Sequence, residues 1–309
     1  MMKPGVHVAI ITPMYENETV DHESFINLVK HLDADKSCQG IVIFGSTGEG
    51  SSLSIVDKIN VMKTLSGIEH TLQIAIGIGG INTKEIIRFA LEALEFFPEA
   101  ILMMAPPPYV KATQKSIIKH YTNVFSDPCI NTCKFMVYNI PSRTGTKIEF
   151  DTLKLLSEKF SGRFVAYKDA TGNTELTKKI SNAKLGFDIF CGDDNLYRDY
   201  IIEGAVGLVS VYGNFSCNDL NLKFDEPIIK MFKSEVSDLL DWISKENPRR
   251  IKYLLYKAGI ITHYSTMTPL YSASDLEMET LTPLFDTYNK IQIQMKRQPS
   301  LVEVYYSVC

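Results

Sequence analysis

The sequence predicts a closed (β/α)8 barrel (a TIM barrel) followed by a C-terminal helical appendage. Eight short apolar runs occur along the chain, and most are followed by a segment of helical period. The runs are continuous rather than alternating, which is typical of parallel strands covered on both faces. A Rossmann arrangement would need G-x-G-x-x-G after the first strand, and none is there. The predicted strands are Val6–Ile11, Gly40–Phe44, Leu72–Ile76, Ala100–Met104, Lys134–Tyr138, Phe164–Lys168, Phe187–Cys191 and Val206–Val211.

Helix-start signals separate these strands. Ser54 and Asp57 have the spacing of a capping box, and Asn82, Thr113 and Asn173 each precede an amphipathic segment. An apolar stripe that repeats every three to four residues marks the face that a helix packs against a sheet. The predicted helices are Lys58–Leu65, Lys84–Phe97, Gln114–Phe125, Thr152–Phe160, Glu175–Ala183 and Asn195–Glu203.

The pattern changes after about Leu220. Helical periodicity continues there without strand-like runs, and it predicts helices near Glu226–Ile243, Arg249–Ala258 and Glu277–Arg297. We therefore divide the chain into a catalytic barrel at 1–220 and a C-terminal helical domain at 221–309. No prediction is made for the structure of 298–309.

Composition excludes several classes of function. The 309 residues carry a net charge of −4 with 22% charged residues, which does not favour nucleic-acid binding. No apolar run is long enough to span a membrane. The six cysteines lack zinc-site spacing and are expected to be reduced thiols of a cytoplasmic protein. None of the six histidines falls at the end of a predicted strand, so neither a metal site nor a Ser-His-Asp triad is expected.

Lys168 is the most informative residue, because it ends the sixth predicted strand. Burying an ammonium without a partner is costly, so a buried strand seldom ends on a lysine. In a parallel barrel this end of the strand opens into the active site, where a lysine held neutral is an amine nucleophile. The alternative is a lysine that simply leaves the strand for solvent.

Other strand ends carry polar groups that suit the same chemistry. The turn 45–50 after strand two combines glycines with two hydroxyls and would cradle a carboxylate, although a plain loop has the same composition. Tyr138 ends strand five, and Arg143 follows as a candidate carboxylate ligand or a surface ion-pair residue. Asp193 and Asp194 after strand seven are more typical of helix capping than of acid–base catalysis. Together these groups favour imine formation with a keto acid.

Four segments of the chain, taken in sequence order, resemble motifs of the dihydrodipicolinate synthase family. This family lies within the pyruvate-dependent class I aldolase and N-acetylneuraminate lyase superfamily. The resemblance extends from about Val6 to Asn214, with weaker landmarks at Asn247-Pro248 and in the segment 267–269. It implies catalysis without a cofactor, through a covalent imine between Lys168 and pyruvate. The four segments are Gly45-Ser46-Thr47-Gly48-Glu49, Tyr138 to Gly145, Lys168 to Asn173, and Gly192-Asp193-Asp194.

The resemblance also implies roles for individual residues. Tyr138 would transfer protons above the imine, and Ser46 and Thr47 would hold the pyruvate carboxylate and relay protons. Tyr109 would complete the relay in a neighbouring subunit's site, which implies a homo-oligomer, either a dimer or a tetramer. Arg143 would bind the carboxylate of the second substrate, L-aspartate 4-semialdehyde. Gly192 and Val209 would line the pocket.

Three departures from the family pattern qualify this assignment. Ser46 replaces the usual threonine, which keeps the hydroxyl but loses the methyl group that restrains its rotamer, so some loss of rate is expected. Cys191 replaces a common serine, which we regard as neutral. The positions that bind feedback-inhibiting lysine in many relatives offer few polar partners, so weak or absent inhibition is expected. They are Ile55, Lys58, Ile81, Glu85 and Pro108.

Other functions compete with this assignment. The nearest is another pyruvate-dependent aldolase, lyase or dehydratase acting on a sugar acid such as N-acetylneuraminate or a 2-keto-3-deoxy acid. Arg143 favours the synthase, because the equivalent loop of the sialic acid lyase lacks that arginine. A non-catalytic binding protein on the same scaffold and a phosphate-binding barrel isomerase are the remaining alternatives.

Overall fold

The computed structural model describes residues 1–108, 112–221, 227–272 and 274–296. Eight parallel strands close into a barrel in chain order, which confirms the predicted (β/α)8 fold. Each strand pairs with its sequence neighbours, and β8 closes the ring against β1. The strands are β1 (Gly5–Ala9), β2 (Cys38–Ile43), β3 (Gln73–Gly77), β4 (Ile101–Met104), β5 (Phe135–Asn139), β6 (Phe164–Asp169), β7 (Asp188–Cys191) and β8 (Gly207–Ser210).

Helices follow the strands and cover the outside of the barrel. The predicted caps are present: the Ser54 side chain accepts from the backbone of Asp57, and the Asn173 side chain accepts from that of Leu176. The first helix, which the sequence analysis did not delimit, is capped by Asp21. The helices are α1 (His22–Ala34), α2 (Ile55–Ser66), α3 (Thr83–Phe96), α4 (Gln114–Phe125), α5 (Pro141–Thr144), α6 (Phe150–Lys159), α7 (Thr174–Ala183) and α8 (Tyr197–Ile202).

Several boundaries differ from the prediction for local reasons. β1 ends at Ala9 rather than Ile11. The Ile10 N–H still donates to the Val42 carbonyl of β2 at 3.2 Å, but the Ile11 N–H donates to the Asn214 side chain at 3.0 Å. Helix α6 begins two residues before the predicted Thr152, although Glu149 supplies no side-chain cap. The predicted helix Asn195–Glu203 is a 3₁₀ turn followed by α8.

Two hydrophobic layers form the core. Side chains on the outer strand faces pack against the helices in one large cluster. A second cluster fills the barrel interior, and it includes Val42, Met103, Phe190 and Val209. Filling the interior restricts free space to the carboxyl ends of the strands, as in other barrels of this kind.

Three further helices follow the barrel, as predicted: α9 (Pro227–Ser244), α10 (Arg249–Lys257) and α11 (Asp275–Lys296). The predicted ends Glu226 and Arg297 lie outside the described residues, as does the segment 298–309. The division into domains at 220 stays a prediction. Among the helices of the described ranges, none is long and apolar enough to cross a membrane.

The C-terminal helices are joined to the barrel by buried polar contacts. Lys252 of α10 forms an ion pair with Glu49, which follows β2, and both side chains are almost fully buried. Tyr288 of α11 donates to Asp219 at 2.9 Å, and Tyr212 donates to the same carboxylate at 2.7 Å. These contacts fix α10 and α11 against the loops at the carboxyl ends of β2 and β8.

Candidate active site

A cavity of about 70 Å³ lies at the carboxyl ends of the strands. It is lined by one primary amine, one guanidinium and three hydroxyl groups, supplied by three segments of the chain: the turn after β2, the end of β5 with α5, and the end of β6. Its walls are Ala9, Val42, Gly45, Ser46, Thr47, Met103, Tyr138, Ile140, Arg143, Lys168, Gly192, Val211 and Asn247. The structure thus brings together six of the eight predicted site residues.

Lys168 lies at the centre of this site because of the register of neighbouring strands. It pairs with Tyr138 of β5 on one side and with Phe190 of β7 on the other. Its Nζ lies 4.4 Å from the centroid of the Tyr138 ring, and the residue is only 5% exposed. The lysine therefore does not leave the strand for solvent, and the reading of Lys168 as an exposed strand end is wrong.

Gly192 leaves room for the lysine side chain. A Cβ atom at position 192 would lie 3.0 Å from the Cε of Lys168 and 2.8 Å from the Cβ of Ala170. Its backbone N–H donates to the Asp169 carbonyl at 2.7 Å, which keeps the two strand ends close together. A larger residue would displace the lysine from its present path.

The turn after β2 presents Ser46 and Thr47 to the cavity. The chain folds back on itself, with the Gly50 N–H donating to the Gly45 carbonyl at 3.1 Å. Glycine is required at position 50, because a Cβ there would lie 2.1 Å from the carbonyl oxygen of Phe44. The prediction that this turn displays two hydroxyls at the strand mouth is supported by their place in the cavity wall.

Arg143 lies on the short helix α5, which follows β5 and ends at Gly145 with a φ of 68°. Its Nη2 donates to the backbone carbonyl of Asn247 at 3.3 Å. The Nδ2 of Asn247 in turn donates to the Oγ1 of Thr47 at 3.1 Å. Sequence reasoning noted Asn247 as a family landmark but did not assign it to the site, because it lies far along the chain in the C-terminal region.

The aspartates after β7 have different roles. Asp193 caps the following 3₁₀ turn by accepting from the Asn195 N–H at 3.0 Å, as predicted. Asp194 instead accepts from Ser210 and from the backbone N–H of Val211, and burial raises the pKa of its carboxyl. It thereby fixes the end of β8 beside the cavity. This corrects the expectation that both aspartates cap the next helix.

The predicted pocket residue Val209 lies elsewhere. It is 1% exposed and packs in the barrel interior, whereas Val211, two residues further on, forms the β8 part of the cavity wall. Val211 is the last residue of the predicted strand Val206–Val211, so the strand prediction places the right residue at the cavity, whereas Val209 was implied by the family resemblance alone. Tyr109, the predicted contribution to a neighbouring subunit, lies outside the described residues.

A wider cleft of about 630 Å³ adjoins the cavity and shares Ser46, Tyr138 and Arg143 with it. The positions named for lysine inhibition line this cleft or the groove beside it. Lys58 lies there with its Nζ 5.0 Å from the centroid of the Phe89 ring, and burial lowers its pKa. In the described ranges, no three His, Cys, Asp or Glu side chains are grouped in a way that would hold a metal ion.

Comparison with known proteins identifies relatives along almost the whole chain. The Dihydrodipicolinate synthetase family matches residues 2–286. A 4-hydroxy-tetrahydrodipicolinate synthase from Porphyromonas gingivalis is 32% identical over 284 residues, which span 88% of this chain and 92% of that protein. The solved 4-hydroxy-tetrahydrodipicolinate synthase from Methylacidiphilum fumariolicum SolV has a TM-score of 0.83 and 24% identity, covering 96% of this chain and 99% of that one. The chloride-inhibited dihydrodipicolinate synthase from Acinetobacter baumannii, complexed with pyruvate, has a TM-score of 0.80 and 26% identity, covering 95% and 100%.

Proposed function

The chain belongs to the dihydrodipicolinate synthetase family, and we propose that it condenses pyruvate with L-aspartate 4-semialdehyde to give 4-hydroxy-tetrahydrodipicolinate. This reaction makes the protein a lyase of lysine and diaminopimelate biosynthesis. The observation that carries the proposal is the buried amine of Lys168 in a small cavity lined by hydroxyl groups, with the Tyr138 ring 4.4 Å from its nitrogen. The proposal is supported by a relative of the same fold whose structure was solved in complex with pyruvate.

In the first half of the reaction, the Lys168 amine attacks the C2 carbonyl of pyruvate. The resulting carbinolamine loses water to give an imine, and the Tyr138 hydroxyl transfers the protons that these steps require. Ser46 and Thr47 hold the pyruvate carboxylate through their hydroxyl and backbone N–H groups. Loss of a proton from C3 converts the imine into an enamine, whose C3 is the carbon nucleophile.

In the second half, the carboxylate of the semialdehyde binds to Arg143 at the mouth of the cavity. The enamine carbon attacks the aldehyde, and the aldehyde oxygen takes up a proton to become the hydroxyl group of the product. The amino group of the second substrate then attacks the imine carbon and displaces Lys168 as the ring closes. The only small molecule released is the water lost when the imine formed.

We also propose that the protein acts in the cytoplasm as a homo-oligomer, a dimer or a tetramer, in which Tyr109 serves the site of a neighbouring subunit. Free thiols at the five cysteines that the structure describes support a reducing compartment. We further propose that the reaction needs no cofactor, because the covalent imine with Lys168 activates pyruvate by itself.

Borohydride reduction in the presence of pyruvate, followed by peptide mass spectrometry, tests the covalent step. We expect a reduced pyruvyl adduct on the peptide that contains Lys168, and its loss in Lys168→Arg. Lys134→Arg is the matched control, because Lys134 is exposed just before β5, at the opposite end of the barrel. Labelling of any other lysine would overturn the assignment. Turnover with aspartate semialdehyde, compared with N-acetylneuraminate and 2-keto-3-deoxygluconate, then tests the second substrate.

A further inference from the structure

Asn247 connects the two carboxylate-binding groups of the site. Its side-chain Nδ2 donates to the Thr47 hydroxyl oxygen at 3.1 Å, and its backbone carbonyl accepts from Arg143 at 3.3 Å. It is also part of the cavity wall. One residue of the C-terminal region therefore contacts both the pyruvate pocket and the mouth where the second substrate binds, through two chemically different groups.

The hydrogen bond to Thr47 determines the direction of that hydroxyl. Because the Thr47 Oγ1 accepts from the asparagine, its own proton is free to donate elsewhere. Thr47 is 4% exposed and lines the cavity, so this proton is available to an acceptor inside it. A carboxylate oxygen is such an acceptor, and hydrogen bonds to a charged acceptor are the stronger kind.

Stability does not explain the asparagine. Its Oδ1 is buried and has no hydrogen-bond partner. Leaving a buried carbonyl oxygen unsatisfied is unfavourable, and an apolar side chain would avoid this penalty. An amide at this position is therefore better explained by what its Nδ2 does for Thr47 than by a contribution to folding.

The surroundings hold this contact in place. Glu49, two residues after Thr47, forms the buried ion pair with Lys252, five residues after Asn247. The other oxygen of the Glu49 carboxylate accepts from the Met267 N–H at 2.7 Å. The turn after β2 and the start of α10 are thus joined next to the hydrogen bond between Thr47 and Asn247, which limits their relative movement.

We propose that Asn247 is a positioning residue for pyruvate: its amide orients the Thr47 hydroxyl as a donor to the pyruvate carboxylate. The inference rests on the proposed function. The Asn247 side chain contacts Thr47 in the pyruvate pocket, whereas only its backbone carbonyl contacts Arg143. Replacing the side chain therefore affects one substrate and leaves the other almost unchanged.

Two variants test this division. Asn247→Ala removes the donor, and Asn247→Asp replaces it with an acceptor that draws the Thr47 proton away from the cavity. We expect the KM for pyruvate to rise about fivefold in the first and about tenfold or more in the second, with the KM for the aldehyde within twofold in both. The neighbouring Glu246→Gln is the matched control, because Glu246 pairs with Arg249 and does not line the cavity.

A double-mutant cycle with Thr47→Val separates positioning from a general structural effect. In the Thr47→Val background, Asn247→Ala should change the KM for pyruvate by less than twofold, because the hydroxyl that it orients is gone. Equal fold-changes in both backgrounds, or equal rises for both substrates, would overturn the role assigned to Asn247. If the wild-type protein forms no borohydride adduct with pyruvate, the proposed function fails and this inference fails with it; if it does and the variants keep the wild-type KM, only the inference fails.

Discussion

The ion pair between Glu49 and Lys252 offers the most direct test of how the C-terminal helices support the site. Lys252→Met keeps the length of the side chain and removes its charge. The side chains of the pair are 0% and 1% exposed, so water cannot replace the lost ammonium. The substitution also removes the hydrogen bond that Lys252 donates to the Ser265 carbonyl at 2.7 Å.

The expected loss follows from leaving a carboxylate buried without its partner. Removing one member of a buried ion pair costs about 3–5 kcal/mol. Glu49 keeps the Met267 N–H as a donor, which places the expected loss near the middle of that range, at about 4 kcal/mol. For a chain of 309 residues, unfolding entropy of about 2.1 cal/mol/K per residue converts this into a decrease in Tm of about 6 °C.

Fluorescence of Trp242 during denaturation measures this loss. Trp242 is the single tryptophan, and its indole N–H donates to Thr280 at 3.0 Å, so it reports on the contact between α9 and α11. Lys257→Met on the exposed side of α10 is the control and should change the free energy of unfolding by less than about 0.5 kcal/mol. A loss in Lys252→Met no larger than that of the control would refute the reasoning. Adding Glu49→Gln to Lys252→Met should recover part of the stability, because no buried charge is then left unpaired.

Three further predictions concern other parts of the molecule. Gly192→Ala should slow borohydride trapping of pyruvate by about tenfold or more, because the added methyl group would lie 3.0 Å from the Cε of Lys168. An unchanged trapping rate would show that glycine is not needed at this position. Burial raises the pKa of Asp219 to about 6, above its value in the unfolded chain, so the folded state binds this proton more tightly. The free energy of unfolding should therefore fall by about 2 kcal/mol as the pH rises from about 4 to about 6, and Asp219→Asn should remove this fall in urea titrations. A fall of equal size in the variant would refute the assignment to Asp219. Steady-state assays should find no strong inhibition by sub-millimolar free lysine. Lys58 repels a cationic ligand, and among the described residues that line the adjoining groove only Glu85 offers it a carboxylate.

The fold could be predicted from the sequence because its signals are local. Continuous apolar runs, caps such as Ser54, and helical stripes each depend on neighbours within a few residues. Lys168 and Tyr138 could be placed for the same reason, since each ends a predicted strand and parallel strand ends meet at one edge of a barrel. The same rule places Val211 at the mouth, as the last residue of the eighth predicted strand. Its hydrogen bond to Asp194 could not be predicted, because the two residues lie 17 positions apart.

The contacts made by Asn247 and Lys252 show the limit of such reasoning more clearly. Lys252 belongs to a short basic run at the start of an amphipathic helix, and such a run is typical of a solvated face. Asn247 was noted only as a landmark of the family. Their partners Thr47 and Glu49 lie about 200 residues earlier in the chain. Only the closure of the barrel and the packing of α10 onto the turn after β2 bring these pairs together, so no local signal identifies the partner of either residue.

The sizes of the two spaces indicate how the proposed reaction is ordered. The inner cavity, at about 70 Å³, suits a three-carbon acid, whereas the adjoining cleft is about nine times larger. Lys168 lies in the inner cavity alone, and Arg143 lies in the walls of both. We therefore expect pyruvate to reach the amine first, because a second substrate bound to Arg143 would occupy the space where the cleft meets the inner cavity. Initial-rate patterns should accordingly be those of a ping-pong mechanism, with the imine formed and its water released before the semialdehyde binds.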